Sequence, residues 1–184
     1  LVEELQDPYL RTHPLTRDRI EFINRHVARS QYSNAPLPAT FDPAFRMVQA
    51  KLRGFLEPSS VTLRRVKAED KGAPARYARS IALYRLGRTD EALAALDPLI
   101  REQPGSPWLH ELKGQVLFEG GRAQASLAPY GDAARLAPDQ PQIRAELARA
   151  MIEAGDPAQL RPAIVNLQSA LGRERDDPSA WRSL

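Results

Sequence analysis

The spacing of glycine and proline constrains the fold of this chain more than any other feature. Gly87, Gly121 and Gly155 are evenly spaced, and Pro104 and Pro138 are separated by the same interval. A period of this length, about 34 residues, is typical of helix–turn–helix units that stack into a solenoid. The sequence therefore predicts an all-α repeat fold in which glycine and proline mark the helix ends.

The residues between these landmarks resemble the tetratricopeptide-repeat (TPR) family. Its pattern asks for a small residue, then a large apolar residue four positions later, then a proline after eight more. Two units meet this pattern: Ala92, Leu96 and Pro104, then Ser126, Tyr130 and Pro138. Ala163 and Leu167 begin a third unit, whose proline, Pro178, comes three residues late. We expect about three TPR units over residues 73–184, followed by the start of a further helix.

Residues at fixed places in each unit support this interpretation. Prolines stand where the first helices are expected to begin: Pro74, Pro107 and Pro141. Small residues stand where the paired helices should approach most closely: Ser80, Gly114 and Ala148. Pro98 and Pro129 fall inside the predicted second helices, where a proline removes a backbone hydrogen bond. We therefore expect those two helices to be kinked.

The repeat pattern degenerates in residues 41–72. Asp42 and Pro43 make a typical helix start. The helix after them is predicted to bury an apolar face: Phe45, Val48, Leu52 and Phe55. Together with a shorter helix over residues 61–66, it is interpreted as a capping half-repeat.

Residues 1–40 lie outside the repeat pattern. Thr16 can cap an amphipathic helix there, and a loop rich in proline, serine and asparagine follows it. The chain begins with Leu1, and no basic segment followed by an apolar one comes after it. We expect a fragment or mature portion of a longer protein, with residues 1–40 as a linker and helix that follow another domain.

Composition and motifs argue against chemistry within this chain. The absence of cysteine excludes a disulfide scaffold and a thiol nucleophile. The net charge of +3 is spread over interspersed residues of both signs, so nucleic acid is not an expected partner. His110 and Glu111 begin a zinc-binding H-E-x-x-H motif, but Gly114 takes the place of its second histidine. The chain alone is predicted to be neither an enzyme nor the holder of a cofactor.

A binding surface is the remaining candidate. In TPR arrays the first helix of each unit lines a concave groove that suits a peptide or a neighbouring domain. The repeat period places eight residues on that face: Tyr77, Ile81, Tyr84, Trp108, Gln115, Phe118, Arg149 and Ile152. Tyr84 and Phe118 are expected to pack between helices, and Tyr77 and Trp108 are the better candidates for exposure. Tyr77 and Ile81 replace the lysine and asparagine of TPR domains that bind acidic chaperone tails, which disfavours that partner.

The N-terminal segment 7–16 carries a second resemblance. Its Thr-His-Pro-Leu-Thr stretch, before an amphipathic helix, is similar to bacterial periplasmic zinc metalloproteases related to the CaaX prenyl proteases, in which a C-terminal TPR domain follows the protease core. Four further segments look like the tail of that family: residues 52–56, 74–79, 110–115 and 180–182. The resemblance covers nearly the whole chain.

This resemblance implies a function in quality control of envelope proteins. The groove would recruit a substrate or an assembly partner, or dock on the protein's own protease domain, and peripheral membrane association of the parent is left open. Zinc would be bound by the parent, whose H-E-x-x-H helix would precede Leu1. By the same resemblance, His13 would be a removable zinc ligand that regulates the full-length protein. The alternative is a free-standing TPR adaptor with no enzymatic parent.

Overall fold

The structure, a computed structural model, describes residues 16–36, 38–67, 69–173 and 178–183. Over these residues the chain forms α-helices and one short 3₁₀ segment, with no strand, which confirms the predicted all-α fold. The helices are α1 (Thr16–Arg29), α2 (Phe41–Leu56), α3 (Ser59–Arg65), α4 (Ala73–Arg85), α5 (Thr89–Glu102), α6 (Pro107–Glu119), α7 (Ala123–Leu136), α8 (Pro141–Glu153), α9 (Leu160–Arg173) and α10 (Pro178–Ser183), with the 3₁₀ turn at Pro157–Gln159.

The chain divides into two compact units after Asp42. In the first, α1 is an amphipathic helix, and its apolar side chains Ile20, Ile23 and Val27 are each at least half exposed. Arg17 and Glu21 form an ion pair of 3.2 Å on this helix.

The second unit is a row of antiparallel helix pairs. Helix α4 packs against α5, α6 against α7, and α8 against α9, while α3 contacts α4 and α10 contacts α9. The second helix of one pair contacts the first helix of the next, so that α5 packs on α6 and α7 on α8. Since each helix of 13 or 14 residues is marginal alone, these contacts provide the stability of the stack.

Small residues make the close approach within each pair possible. A Cβ atom on Gly114 would lie 2.6 Å from Cγ of Tyr130, whose ring is fully buried against α6. In the preceding pair, the buried Ser80 hydroxyl donates a hydrogen bond of 2.9 Å to the carbonyl oxygen of Ala92. The prediction that these positions need small residues is confirmed for Ser80 and Gly114.

The evenly spaced glycines end the first helix of each pair. Gly87, Gly121 and Gly155 have φ angles of 72°, 74° and 72°, a region in which a side chain would strain the backbone. The amide of Gly87 donates to the carbonyl of Tyr84 at 2.8 Å, and the amide of Gly121 donates to that of Phe118 at 3.0 Å. These turns reverse the chain and place successive first helices on one face.

The prolines behave as the sequence predicts at the helix starts. Pro107 and Pro141 are the first residues of α6 and α8, and Pro74 is the second residue of α4. Pro98 and Pro129 lie inside the continuous helices α5 and α7. The kinks expected at these two positions stay a prediction.

Helix α2 differs from the prediction in its start and in its buried face. It begins at Phe41, so Asp42 and Pro43 belong to its first turn. Backbone N–H groups in the first turn have no acceptor within the helix, so the missing N–H of Pro43 costs no hydrogen bond. The predicted face is mostly exposed: Phe45 by 49%, Val48 by 55% and Leu52 by 52%. The helix instead buries Ala50 and Gly54 and half-buries Met47 and Phe55, because small residues allow closer packing than the apolar stripe does.

Candidate protein-binding groove

Helix α2 contacts α4 on the side that the repeat pattern assigns to the groove. A Cβ atom on Gly54 would lie 2.7 Å from Cβ of Ile81, so the two backbones approach closely there. One turn further along α4, the rings of Phe55 and Tyr84 meet edge to face with 6.5 Å between their centroids. Nη1 of Arg85 donates hydrogen bonds to the carbonyl oxygens of Gly54 and Glu57, 2.9 Å and 2.6 Å away. Arg85 therefore satisfies carbonyl groups that the end of α2 leaves unpaired.

Two predicted groove residues are covered by this arrangement. Ile81 is fully buried and Tyr77 is 2% exposed. The expectation that Tyr77 would be exposed was wrong, because the repeat period assigns a residue to a face but says nothing about a helix lying over that face. We call Tyr77 and Ile81 the covered groove.

An ion pair between the partly exposed Lys51 and the buried Glu111 joins α2 to α6 next to the covered groove. Nζ of Lys51 lies 3.6 Å from Oε2 of Glu111 and 5.2 Å from the centre of the Trp108 ring. Glu111 is only 6% exposed, and this burial raises the pKa of its carboxyl, while the charge of Lys51 opposes the shift. Trp108 is 42% exposed, in agreement with its prediction.

The groove continues over α6 and α8, where Gln115, Phe118 and Arg149 are half-buried. Tyr84 donates a hydrogen bond to the carboxylate of Glu119, which also accepts one of 3.1 Å from Nε2 of Gln115. Partial burial of the Tyr84 ring and this hydrogen bond to Glu119 raise the pKa of Tyr84, so its hydroxyl stays protonated at neutral pH. This network fixes one polar edge of the groove while leaving Glu119 exposed.

An aromatic–cation pair forms the other edge. The guanidinium of Arg149 lies 5.4 Å from the centre of the Phe118 ring, and its Nη1 donates hydrogen bonds of 3.0 Å to both carboxylate oxygens of Glu146. Phe118, Glu146 and Arg149 are all half-buried, and Ile152 is 39% exposed beyond them. We call the following set the open groove: Tyr84, Gln115, Phe118, Glu119, Glu146 and Arg149.

The structure thus leaves six of the eight predicted groove residues at least partly accessible and buries the other two, Tyr77 and Ile81. It adds four residues that the prediction did not include: Lys51, Glu111, Glu119 and Glu146. Glu111 could have been found, because it stands one full repeat after Tyr77 and so shares its place in the unit. Lys51 gave no such signal, since it lies outside the repeats.

The described residues present no group of three or more His, Cys, Asp or Glu side chains that could hold a metal ion. Nε2 of His110 lies 3.0 Å from the carbonyl oxygen of Pro104, where it ties the start of α6 to the preceding turn. His26 is exposed on α1. His13 lies outside the described residues. None of the described helices is long and apolar enough to cross a membrane.

Residues 77–141 match the family described as tetratricopeptide repeat. The chain is 25% identical over 179 residues to the beta-barrel assembly-enhancing protease of Yersinia pestis. That similarity covers 94% of this chain and 35% of the relative, so the chain spans about a third of the length of that protein.

Two solved structures show the same fold. One is MamA MSR-1 C2, with a TM-score of 0.60, 17% identity, and 78% of this chain and 81% of that chain covered. The other is a thermophilic TPR protein of Thermus thermophilus, with a TM-score of 0.58, 22% identity, and 90% and 92% of the two chains covered. The chain is therefore an all-α TPR solenoid that, over nearly its whole length, is similar in sequence to the beta-barrel assembly-enhancing protease.

Proposed function

We propose that this chain is the protein-interaction module of a zinc metalloprotease, and that its open groove binds a protein partner. The similarity to the beta-barrel assembly-enhancing protease supports the protease parent. The TPR fold supports a protein partner, because these solenoids present continuous binding surfaces. Within such a parent, the module would recruit a substrate or an assembly partner, or dock on the protease domain.

The observation that carries the proposal is the chemistry of the open groove. An aromatic ring, a guanidinium and exposed or half-buried carboxylates lie together on two neighbouring helices, and each is held in place by a contact of its own. Aromatic and arginine side chains held rigidly are the types that dominate binding energy at protein interfaces. Phe118 and Arg149 would therefore be the main anchors.

The charges of the open groove disfavour an acidic partner. Glu119 and Glu146 carry two negative charges, while Arg149 is already paired with Glu146. A partner segment with a basic residue next to an apolar one would complement this surface.

The proposed metalloprotease parent also implies a cellular location and a metal ion. A periplasmic location would agree with the similarity to that protease, and zinc would be bound by the part of the parent that carries H-E-x-x-H. His13 would then be a removable ligand to that zinc. An open reading frame without H-E-x-x-H before Leu1 would favour the free-standing adaptor instead.

Site-specific photo-crosslinking in the full-length protein tests the groove. A photoreactive amino acid at Gln115 should crosslink to a partner protein in cells. The matched control is Gln124, a glutamine exposed on α7 of the same repeat, which should give no such product. Arg149→Ala should weaken the Gln115 crosslink at least severalfold. Equal crosslinking from both positions would contradict a role for the open groove.

A further inference from the structure

A cleft of about 480 Å³ lies between α4 and α5, on residues that neither the covered nor the open groove uses. Arg76 and Arg79 of α4 form one wall, and Ala94 and Pro98 of α5 form the other. Lys71, in the loop before α4, lines the cleft as well. Basic groups and apolar surface thus share one concave site.

Arg79 is the cation of this cleft whose hydrogen-bond donors are unused. It is half-buried, yet it makes no hydrogen bond or ion pair with any residue that the structure describes. Arg76, by contrast, is paired with Glu102, to which its Nη1 donates a hydrogen bond of 2.8 Å. A guanidinium carries five N–H donors in a fixed fork, and a carboxylate can accept two of them side by side. Arg79 therefore offers a site that suits a carboxylate.

The carboxylates that line the cleft already have other partners. Arg88 donates hydrogen bonds of 2.6 Å to both carboxylate oxygens of Glu91. These bonds lower the pKa of Glu91, and the charge of Arg79 adds a smaller lowering, so Glu91 is ionised at neutral pH. Asp70 accepts a hydrogen bond of 2.9 Å from the amide of Gly72. Because these two negative charges remain, the cleft favours a ligand with one negative charge over a ligand with several.

The next helix pair shows which group occupies the equivalent place. Lys113 stands one repeat after Arg79, and its Nζ lies 2.7 Å from Oδ1 of Asp97 on α5, the helix before its own. Leu63 of α3 stands one repeat before Asp97, so α3 presents an apolar side chain where α5 presents a carboxylate. The repeat thus supplies an ionic partner to Lys113 but not to Arg79.

From this comparison we infer that the cleft between α4 and α5 binds an aspartate or glutamate side chain of a partner protein through the guanidinium of Arg79. Lys71 would add a second positive charge, and Ala94 would contact the methylene groups of the bound side chain. Asp70 and Glu91 disfavour a doubly charged phosphate at this place. The inference depends neither on the proposed protease parent nor on the open groove.

Fluorescence anisotropy with labelled peptides tests this inference on the chain described here. The probe is a rhodamine-labelled helical peptide of glutamate and alanine, and its control carries glutamine in place of every glutamate. The acidic probe should bind saturably. The glutamine probe should bind at least about tenfold more weakly, because it cannot form charge-assisted hydrogen bonds with a guanidinium. Inorganic phosphate and N-acetyl-glutamate amide are compared as competitors, and sedimentation with phosphatidylglycerol vesicles tests a lipid surface.

Two pairs of variants separate the cleft from general attraction between charges. Arg79→Gln should weaken the acidic probe at least about fivefold, whereas Arg101→Gln, which removes an exposed arginine of α5, should weaken it less than about twofold. Ala94→Trp should block the cleft, while Ala128→Trp, at the exposed position one repeat later, should not affect binding. Circular dichroism checks that each variant is folded. Since Ala94 is exposed, its variant decides the question if Arg79→Gln loses helical structure.

The inference fails under any of five results. These are no saturable binding of the acidic probe, equal losses in Arg79→Gln and Arg101→Gln, unchanged binding in Ala94→Trp, stronger competition by inorganic phosphate than by N-acetyl-glutamate amide, or Arg79-dependent sedimentation with the vesicles. The fourth result would identify a phosphate site, and the fifth would identify a lipid surface as the ligand.

Discussion

The covered and open parts of the groove use equivalent positions in different ways. Ile81, Gln115 and Arg149 are spaced by one repeat and occupy the same place in successive units. Ile81 is fully buried under α2, whereas Gln115 and Arg149 are half-buried and carry polar groups in hydrogen bonds at the surface. The side chains match these surroundings, because an apolar residue stands under the helix and polar residues stand where solvent or a partner can reach them.

This difference shows that α2 acts as an intramolecular occupant of the groove. It contributes a close backbone approach at Gly54, an aromatic contact through Phe55 and a cation through Lys51. A partner helix or peptide on the open groove could make contacts of the same kinds with Phe118 and Glu119.

Alanine at Gly114 should cost more stability than alanine at Gly54. At Gly114 the new Cβ would meet the buried ring of Tyr130 within one helix pair, so we expect a loss of about 3 kcal/mol in the free energy of unfolding. At Gly54 the clash with Ile81 can be relieved by displacing α2, for a loss of about 1 kcal/mol. Urea unfolding followed by circular dichroism measures both.

Gly131→Ala is the control for these substitutions. Gly131 lies inside α7 with open space around it, so alanine should raise stability by roughly 0.5–1 kcal/mol through helix propensity. If Gly54→Ala loses as much free energy of unfolding as Gly114→Ala, α2 is an integral part of the repeat core. That result would contradict the description of α2 as a separable helix that occupies the groove.

Lys51→Met should destabilise the chain by about 2 kcal/mol, because it leaves the buried carboxylate of Glu111 without its cation. Arg122→Met is the matched control: it breaks a shorter ion pair, 2.8 Å from Asp90, but one whose partners are 45% and 80% exposed. That variant should lose at most about 1 kcal/mol. If Arg122→Met lowers the free energy of unfolding as much as Lys51→Met does, burial of Glu111 does not strengthen the Lys51–Glu111 ion pair.

Glu111 should also make the free energy of unfolding depend slightly on pH. Its pKa in the folded chain is raised above the ordinary value of 4.5, so the folded state binds the proton more tightly than the unfolded state does. Stability should therefore rise as the pH falls from neutral toward 4.5, relative to Glu111→Gln, which cannot titrate. Parallel stability curves for the two proteins between pH 7 and 4.5 would show that this carboxyl has no raised pKa.

Much of the repeat region could be predicted because its signals are local. Gly87 and Gly155 end helices by a backbone conformation that glycine alone adopts readily, and Pro107 and Pro141 begin helices by their own geometry. The same period fixed the face on which Gln115 and Phe118 lie.

The position of α2 could not be predicted in the same way. Its sequence offers two faces: an apolar stripe containing Val48 and Leu52, and a face of small residues at Ala50 and Gly54. Hydrophobicity alone favours burial of the stripe, whereas close packing against Ile81 requires the small residues. The choice depends on tertiary contacts, which periodicity within one helix does not contain. Burial of Tyr77 was mispredicted for the same reason.

Thiol labelling at equivalent positions compares the accessibility of the covered and open parts of the groove. The chain has no cysteine, so Ile81→Cys and Gln115→Cys each provide a single thiol at the same place in neighbouring units. We expect the Gln115→Cys thiol to react with a maleimide within about tenfold of the rate of free cysteine, and the Ile81→Cys thiol to react at least about a hundredfold more slowly, because it must wait for local opening of α2. Equal labelling rates at the two positions would contradict a groove that is covered at one end and open at the other.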